Sequence, residues 1–213
     1  MKKNLLLFML LTAFILVKAQ TAGVQASHYV FPEFQKGTVL FKNGGTQPAH
    51  LNYNIYTQEL VFMRNGVNLA LTNTEKIDTI YIGSHRFVPV KKKYYELVVY
   101  KAIPLFIEYT CDITPPGKVA AYGGTSQLSA SSSLFSLLGS SGIYQLKLPD
   151  DYKISPYLYF WTKKDDVFCK VNSAKQLIKL FPEKENDIKR ITEKYNIKFK
   201  TKEEVEKLFQ LLN

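Results

Sequence analysis

The chain has 213 residues, of which 28 are Lys or Arg and 18 are Asp or Glu, and its formal net charge is +10. It has two cysteines, with neither a CxxC motif nor a Cys/His cluster. This pattern argues against dithiol redox catalysis and against structural zinc.

The N-terminus has the pattern of a secretory signal peptide. Residues 1–19, MKKNLLLFMLLTAFILVKA, contain two lysines, an apolar run from Leu5 to Val17 and a small residue at Ala19. The run is short for a membrane span, which needs roughly 20 apolar residues; an uncleaved N-terminal anchor is the alternative. We expect cleavage before Gln20. We expect an exported protein, periplasmic or extracellular, with no remaining membrane span. Because no cysteine lies near the cut, we expect that it is not a lipoprotein.

The net charge of the chain after signal-peptide cleavage indicates which classes of partner it could bind. Removing three lysines and no acid leaves 25 basic and 18 acidic residues, a formal charge of +7. A basic balance often indicates nucleic-acid binding, but an exported protein rarely meets nucleic acid. Envelope lipid headgroups and acidic glycans are therefore favoured over nucleic acid. The basic run Lys91-Lys92-Lys93 is better explained as a solvated strand edge.

Residues 20–114 are predicted to form antiparallel strands. Apolar and polar residues alternate from Leu51, from Val67 to Leu71 and from Ile103, which indicates strands with one buried face. The Asn65-Gly66 dipeptide between two such runs predicts a tight hairpin. Strands at this spacing, with no helices between them, predict a meander that forms a sandwich or a partial barrel.

Residues 115–142 form a Gly/Ser-rich connection. The stretch matches neither a phosphate-binding loop nor the GxSxG pattern of a nucleophile elbow. Its composition is typical of a tether, although the Gly123–Gln127 segment, GGTSQ, could also have a functional role.

Residues 143–171 are predicted to return to strands. Within them Tyr157, Tyr159, Phe160 and Trp161 could line a sugar-binding surface, with Tyr157, Tyr159 and Trp161 as the candidate binding residues. A half-buried strand recruits the same residues for its own packing, so both interpretations stay open.

Residues 172–213 are predicted to form short amphipathic helices. Capping-box patterns begin at Ser173 and Thr201, and Pro182 forces a break between helices. A segment of about 40 residues is marginal for independent folding, so we expect these helices to dock on the strands. The exposed face of the strand that contains Trp161 is the expected docking surface, since it is the nearest apolar surface along the chain.

Three further residues are candidates for covalent chemistry. Cys111 and Cys169 could form a disulfide in an oxidising compartment, or remain as buried thiols. Thr79, in Asp78-Thr79-Ile80, resembles the acceptor sequence of a bacterial O-glycosylation system, although strand propensity also explains its residue type. The sequence shows no recognisable catalytic, cofactor-binding or metal-binding constellation, because its three histidines lack zinc-ligand spacing and its Asp pairs suit turns.

Several segments resemble an uncharacterised family of small secreted proteins from Gram-negative bacteria; they are YVFPEFQKGTVLFKNG, LNYNIYTQELVF, DTIYIGSHRFVPV, KVAAYGGTSQ, LKLPDDY and LIKLFPEKENDIKRITEKYNIKFKTKEEVEKL. The resemblance covers nearly all of the mature chain and implies export and a common fold. It carries over no activity and no site residues.

The predicted fold is therefore α+β, an antiparallel meander followed by C-terminal helices. Three functions remain open. The favoured one is an exported, non-enzymatic envelope protein that binds another macromolecule, since catalytic constellations are missing. The alternatives are a periplasmic carrier of a lipid or other apolar ligand in a half-barrel, and a hydrolase with dispersed catalytic residues.

Overall fold

The computed structural model describes residues 28–114 and 152–213, together with the backbone of 118–119 and 125–126. The predicted signal peptide at 1–19, the cut before Gln20 and the strands predicted in 143–151 lie outside the described residues. So does most of the Gly/Ser-rich connection at 115–142.

Twelve strands are present in the described residues: β1 (Gln35–Phe41), β2 (Thr46–Asn54), β3 (Glu59–Arg64), β4 (Val67–Ala70), β5 (Ile77–Ile82), β6 (His85–Val90), β7 (Lys93–Val99), β8 (Leu105–Thr114), β9 (Lys118–Val119), β10 (Thr125–Ser126), β11 (Lys153–Lys164) and β12 (Val167–Lys170). Ten of them form one antiparallel sheet in the order β12-β11-β8-β7-β6-β5-β1-β2-β3-β4, and β9 pairs with β10. The predicted antiparallel α+β fold is confirmed.

The sheet curls over on itself. Strands β2 and β7 are four steps apart in the strand order, yet the Tyr53 hydroxyl on β2 donates to the carbonyl of Tyr94 on β7 at 3.1 Å. Gln58, in the β2–β3 turn, reaches the carboxylate of Glu108 on β8 at 3.0 Å. We call the side that carries Tyr53 and Phe87 the inner face. It encloses a core of strand side chains, which includes Val39, Leu51, Leu60, Ile80 and Ile82.

Three helices follow the sheet: α1 (Ala174–Leu180), α2 (Glu185–Lys194) and α3 (Lys202–Leu212). The predicted caps are confirmed, because Ser173 accepts a hydrogen bond from the Gln176 amide and Thr201 accepts one from the Glu204 amide, each at 3.3 Å. Pro182 opens a 3₁₀ turn that separates α1 from α2, since its ring cannot continue the preceding helix.

The helices dock on the inner face at one end of the sheet. Their apolar stripes form a second core with strand residues; this core includes Leu105, Ile107, Phe160, Leu177, Ile188, Val205, Leu208 and Phe209. Docking on the strand that contains Trp161 was predicted, and the core includes Phe160 of that strand. Successive residues of a strand point to opposite faces, so the side that carries Trp161 faces away from the helices. We call that side the outer face.

Two local predictions also differ from the structure. Val67 and Leu69 were expected to face a core, but each is 41% exposed because β4 is the last strand of the sheet. The run Lys91-Lys92-Lys93 is not a strand edge. Its first two residues form the β6–β7 turn, and Lys93 begins β7.

The Asn65-Gly66 hairpin is present as predicted. Asn65 has φ of 51° and Gly66 has φ of 75°, and these two residues alone separate β3 from β4. Two consecutive left-handed residues match the right-handed twist of the flanking strands, which is why this dipeptide favours a tight hairpin.

Candidate functional site

The outer face carries a pocket of about 980 Å³ that is open to solvent. It lies where the β6–β7 turn, β7, β8, β11 and β12 meet. Its aromatic walls are Tyr95, Tyr159, Trp161 and Phe168, its rim carries Lys91, Lys92, Lys93 and Lys170, and it also contains Glu108. We call this site the outer pocket.

The aromatic walls of the outer pocket hold one another in place. The rings of Tyr95 and Trp161 stack with centroids 5.4 Å apart and planes 26° apart. Phe168 meets Tyr95 edge-on at 5.8 Å, which is a favoured geometry for aromatic pairs. Tyr157 extends the surface along β11, because its ring lies 5.3 Å from that of Tyr159.

Glu108 is 4% exposed, and its carboxylate ties the pocket walls together. It accepts hydrogen bonds from Lys93 Nζ at 2.7 Å, from Gln58 Nε2 at 3.0 Å and from Trp161 Nε1 at 3.0 Å. Burial raises the pKa of Tyr95 to about 12, and the charge of Glu108 and a hydrogen bond to it add to this rise. Tyr95 therefore stays protonated and donates to the carboxylate at neutral pH.

The rim of the outer pocket is cationic. Lys170 Nζ lies 3.0 Å from the centroid of the Tyr159 ring, so the lysine lies over one aromatic wall. Lys91 and Lys92 are exposed on the β6–β7 turn. The lining thus combines four lysines with a single carboxylate, which favours a ligand with negative charge.

The structure brings the predicted residues Tyr157, Tyr159 and Trp161 together on the outer face, whereas Phe160, which was also a candidate, is buried in the core beneath the helices. Sequence reasoning missed Tyr95, Phe168 and Glu108, since these lie on strands whose register is not visible in the sequence. The signal that could have found them is the alternation of aromatic and polar residues within each strand.

A second opening, of about 670 Å³, lies on the inner face; we call it the inner cleft. It lies between the segment that precedes β1, the middle of β11 and the beginning of α3. Val30, Ile55, Pro156 and Leu158 give it an apolar lining, and Tyr109 and Lys202 lie at its polar side.

Beside the inner cleft, four polar side chains meet around the buried Glu96; we call them the seam cluster: His85, Glu96, Tyr109 and Lys202. Both carboxylate oxygens of Glu96 lie 2.8 Å from Lys202 Nζ. One of them lies 2.6 Å from His85 Nδ1, and the other accepts a hydrogen bond from the Tyr109 hydroxyl. The cluster joins β6, β7, β8 and α3.

Burial and hydrogen bonding act against each other at Glu96. Burial disfavours the charged carboxylate, but hydrogen bonds from Lys202, Tyr109 and His85 and the charge of Lys202 outweigh it, so the pKa of Glu96 is lowered. Burial, together with the charge of Glu96 and a hydrogen bond to it, raises the pKa of Tyr109. The cluster therefore holds an ionised Glu96 and a neutral Tyr109 at neutral pH.

Of the two alternatives for the cysteines, the disulfide is absent, since Cys111 and Cys169 are both free. Cys111 lies opposite Pro156 and Cys169 lies opposite Thr162 on β11. These positions are about 20 Å apart at roughly 3.3 Å per residue, whereas a disulfide needs Cα atoms within about 7 Å. Burial raises the pKa of the Cys111 thiol to about 11, which is the behaviour of the alternative, a packed thiol.

Thr79, the candidate glycosylation site, lies on β5 and is 4% exposed. Its hydroxyl donates to the Asp78 carboxylate at 2.7 Å. Glycosylation at this residue stays a prediction, and it would require the hydroxyl to be accessible before the strand packs.

Within the part of the chain that the structure describes, no group of three or more His, Cys, Asp or Glu residues could hold a metal ion. None of the described helices combines the length and the apolar character that crossing a membrane requires.

Comparison of the chain with protein-family models, curated proteins and solved structures found no match.

Proposed function

We propose that the protein is an exported, non-enzymatic binding module of the cell envelope, and that its outer pocket holds an acidic glycan. The observation that carries the proposal is the stacked Tyr95–Trp161 pair beside Glu108, under a rim of four lysines, on the face that the helices leave open. Export and envelope location rest on the signal-peptide pattern at residues 1–19.

The aromatic walls support a sugar as the ligand. A sugar ring presents C–H groups on its faces and hydroxyls at its edge, so it packs on an aromatic ring while its edge makes hydrogen bonds. Tyr159, Trp161 and Phe168 are all partly exposed and supply such surfaces at fixed angles. Pockets of this kind combine apolar walls with a few placed polar groups, which fix the orientation of the ligand.

The rim supports an acidic sugar rather than a neutral one. Lys170 and the exposed lysines of the β6–β7 turn surround the opening, while Glu108 is already paired with Lys93. The pocket therefore has an excess of positive charge at the position that a ligand carboxylate would occupy. Contacts of this kind are screened by salt, so binding should weaken as ionic strength rises.

The role of Glu108 supports binding rather than hydrolysis. A glycosidase carboxylate must be able to donate or accept a proton at the scissile bond. Glu108 instead accepts hydrogen bonds from Lys93, Gln58 and Trp161. These contacts commit its oxygens to holding the walls of the pocket in place.

Titration with octagalacturonate, an acidic oligosaccharide, tests the proposal. Trp161 is the only tryptophan in the chain, so intrinsic fluorescence reports directly on the outer pocket. With protein purified after expression of the full chain, we expect a saturable change in fluorescence that weakens as salt is added. By calorimetry, Trp161→Ala should weaken binding about 30-fold, as expected for a central aromatic contact.

Two variants make the titration specific. Trp161→Phe keeps an aromatic wall but loses the hydrogen bond to Glu108, so its affinity should lie between those of wild type and Trp161→Ala. Tyr195→Ala removes an exposed aromatic ring at the end of α2, far from the outer pocket in the fold, and should bind as wild type does. Equal affinity of wild type and Trp161→Ala would refute the proposed site.

The inner cleft favours a second candidate, a carrier of an apolar ligand. Val30, Ile55 and Leu158 give the cleft an apolar lining, while Lys200 and Lys202 lie at one side of it. An amphiphile with an acidic head group would suit both features. Organic extraction of the purified protein, followed by mass spectrometry, tests this candidate; a stoichiometric lipid supports it, and an empty extract argues against it.

A further inference from the structure

We propose that the glycan site continues across the outer face to a second subsite formed by Tyr81, Arg86 and Tyr100, so that the ligand is a chain of acidic sugars rather than a single unit. This inference rests on the proposed function of the outer pocket. It adds a second point of contact and therefore a minimum length for the ligand.

The second subsite is a cation between two aromatic rings. The Arg86 guanidinium carbon lies 4.9 Å from the ring centroid of Tyr100 and 5.6 Å from that of Tyr81. Its Nη2 donates to the Tyr81 hydroxyl at 3.3 Å. These contacts hold the side chain in one orientation, and a held guanidinium loses less entropy when it binds a carboxylate.

Charge and exposure both point to a ligand at this position. None of the ion pairs among the described residues involves Arg86, so its charge is not neutralised by a protein carboxylate there. Tyr100 is 78% exposed, the highest value among the exposed large hydrophobic residues of the described chain. An exposed ring beside an arginine without an ion pair offers a stacking surface and a carboxylate partner together.

The strand register aligns this subsite with the outer pocket. Trp161 on β11 lies opposite Phe106 on β8, which lies opposite Leu97 on β7. One residue beyond the Phe87–Glu96 pair, the antiparallel register brings Arg86 opposite Leu97, and Arg86 lies opposite Tyr81 on β5. The two subsites therefore lie on one row that crosses the strands on the outer face.

The length of this row sets the length of the ligand. Trp161 and Arg86 are three strands apart, or roughly 14 Å at about 4.8 Å per strand. Phe106 is buried and packs against the partly exposed Phe168, so Phe168 and the partly exposed Leu97 give a sugar chain a surface between the two ends. One sugar ring cannot contact both ends of such a row, whereas a chain of several can. Binding at two linked points raises the affinity for the chain above that for a short fragment.

Binding of digalacturonate and octagalacturonate by the same variants tests the inference. Arg86→Ala and Tyr100→Ala should each weaken octagalacturonate binding about tenfold, and each should leave digalacturonate binding in the outer pocket unchanged. Both substitutions lie at the surface of the outer face, and thermal unfolding checks that each variant is folded. Trp161→Ala should weaken the binding of both ligands, and Tyr195→Ala should weaken neither.

The outcomes separate the two proposals. If wild type binds both ligands equally and Arg86→Ala changes neither affinity, the second subsite is wrong and the outer pocket stands. If wild type binds neither ligand, the proposed function fails and this inference fails with it. Vesicles of phosphatidylglycerol form a third arm: binding to them that requires Arg86 and Tyr100, without octagalacturonate binding, would identify a lipid surface instead and overturn the inference.

Discussion

Two buried carboxylates, Glu96 and Glu108, lie on adjacent strands and on opposite faces of the sheet. Each is 4% exposed, and each is held by a lysine and by aromatic donors. The lysine of Glu96 comes from α3, whereas the lysine of Glu108, Lys93, comes from the neighbouring strand. On the inner face, therefore, the carboxylate ties two parts of the fold together. On the outer face a similar group shapes a pocket that stays open.

The comparison shows that the face on which the helices dock contributes to stability, whereas the opposite face carries the pocket. The helices cover the Phe160 side of β11 and turn it into core, so the inner carboxylate is sealed beneath them. The Trp161 side also carries aromatic residues, among them Tyr95, Tyr159 and Phe168, but none of the helices in the described part of the chain packs on it. Aromatic residues that one face uses for packing are thus available to a ligand on the other face.

The largest loss of stability should come from a cavity in the core that the helices form with the strands. Phe209 is fully buried in that core, so Phe209→Ala should lower the free energy of unfolding by about 4 kcal/mol. The outer pocket lies on the other face, so octagalacturonate affinity should persist at temperatures where the variant is folded. Denaturant unfolding measures the first effect and calorimetry the second.

Leu211 is the matched control for this substitution. It lies on the same helix but is about half exposed, so Leu211→Ala should cost less than about 1 kcal/mol. Equal losses for the two variants would contradict the packing of α3 on the inner face.

A smaller loss should follow from breaking the seam cluster. Glu96→Gln leaves the largely buried Lys202 ammonium without its counter-charge and should cost about 2–3 kcal/mol at neutral pH. Glu108→Gln should cost only about 1 kcal/mol, because Lys93 can turn to solvent. Denaturant unfolding compares the two variants, and equal losses of unfolding free energy would show that the two carboxylates contribute equally to stability.

The pH dependence of folding stability tests whether ionised Glu96 is the stabilising group. Because the folded state lowers the pKa of Glu96, this group stabilises the fold fully above its unfolded pKa, near 4.5. That contribution disappears as the pH falls through the folded pKa. The difference in melting temperature between wild type and Glu96→Gln should therefore be largest at neutral pH and shrink below about 4.5. A constant difference would exclude ionised Glu96 as its source.

The smallest effect should come from the rim of the outer pocket. Lys170→Ala removes one exposed cation and should weaken octagalacturonate binding about threefold without a measurable change in stability. Lys207→Ala is the control, since Lys207 lies 3.8 Å above the ring of Tyr195 on the helices and makes a similar contact away from the pocket. Equal effects of the two variants would mean that the rim acts only through the net charge of the protein.

Features that depend on local chemistry were the predictable part of the fold. The Asn65-Gly66 hairpin follows from two left-handed residues, and the caps at Ser173 and Thr201 follow from hydroxyls that can accept helix amides. Each of these predictions uses an interaction that spans only a few residues.

Features that depend on distant pairing were not predictable in the same way. Glu96 and Glu108 look like the polar positions of half-exposed strands, and their burial appears only when Lys202 and Trp161 are brought to them. The docking face was not predictable for a related reason. Phe160 and Trp161 are both large and aromatic, so one strand taken alone does not show which of the two meets the helices. The state of Cys111 and Cys169 stayed open because sequence does not give the offset between their strands.

The pairing of β8 with β11 has a consequence for how this fold can change in length. Thr114 at the end of β8 lies opposite Lys153 at the start of β11, so the chain leaves the sheet and re-enters it at adjacent positions. The entropy of closing such a connection grows slowly, by about 0.6 kcal/mol for each doubling of its length. As far as chain closure is concerned, insertions and deletions between these two residues cost the sheet little. The length of this connection can therefore change while the two faces of the sheet remain as they are.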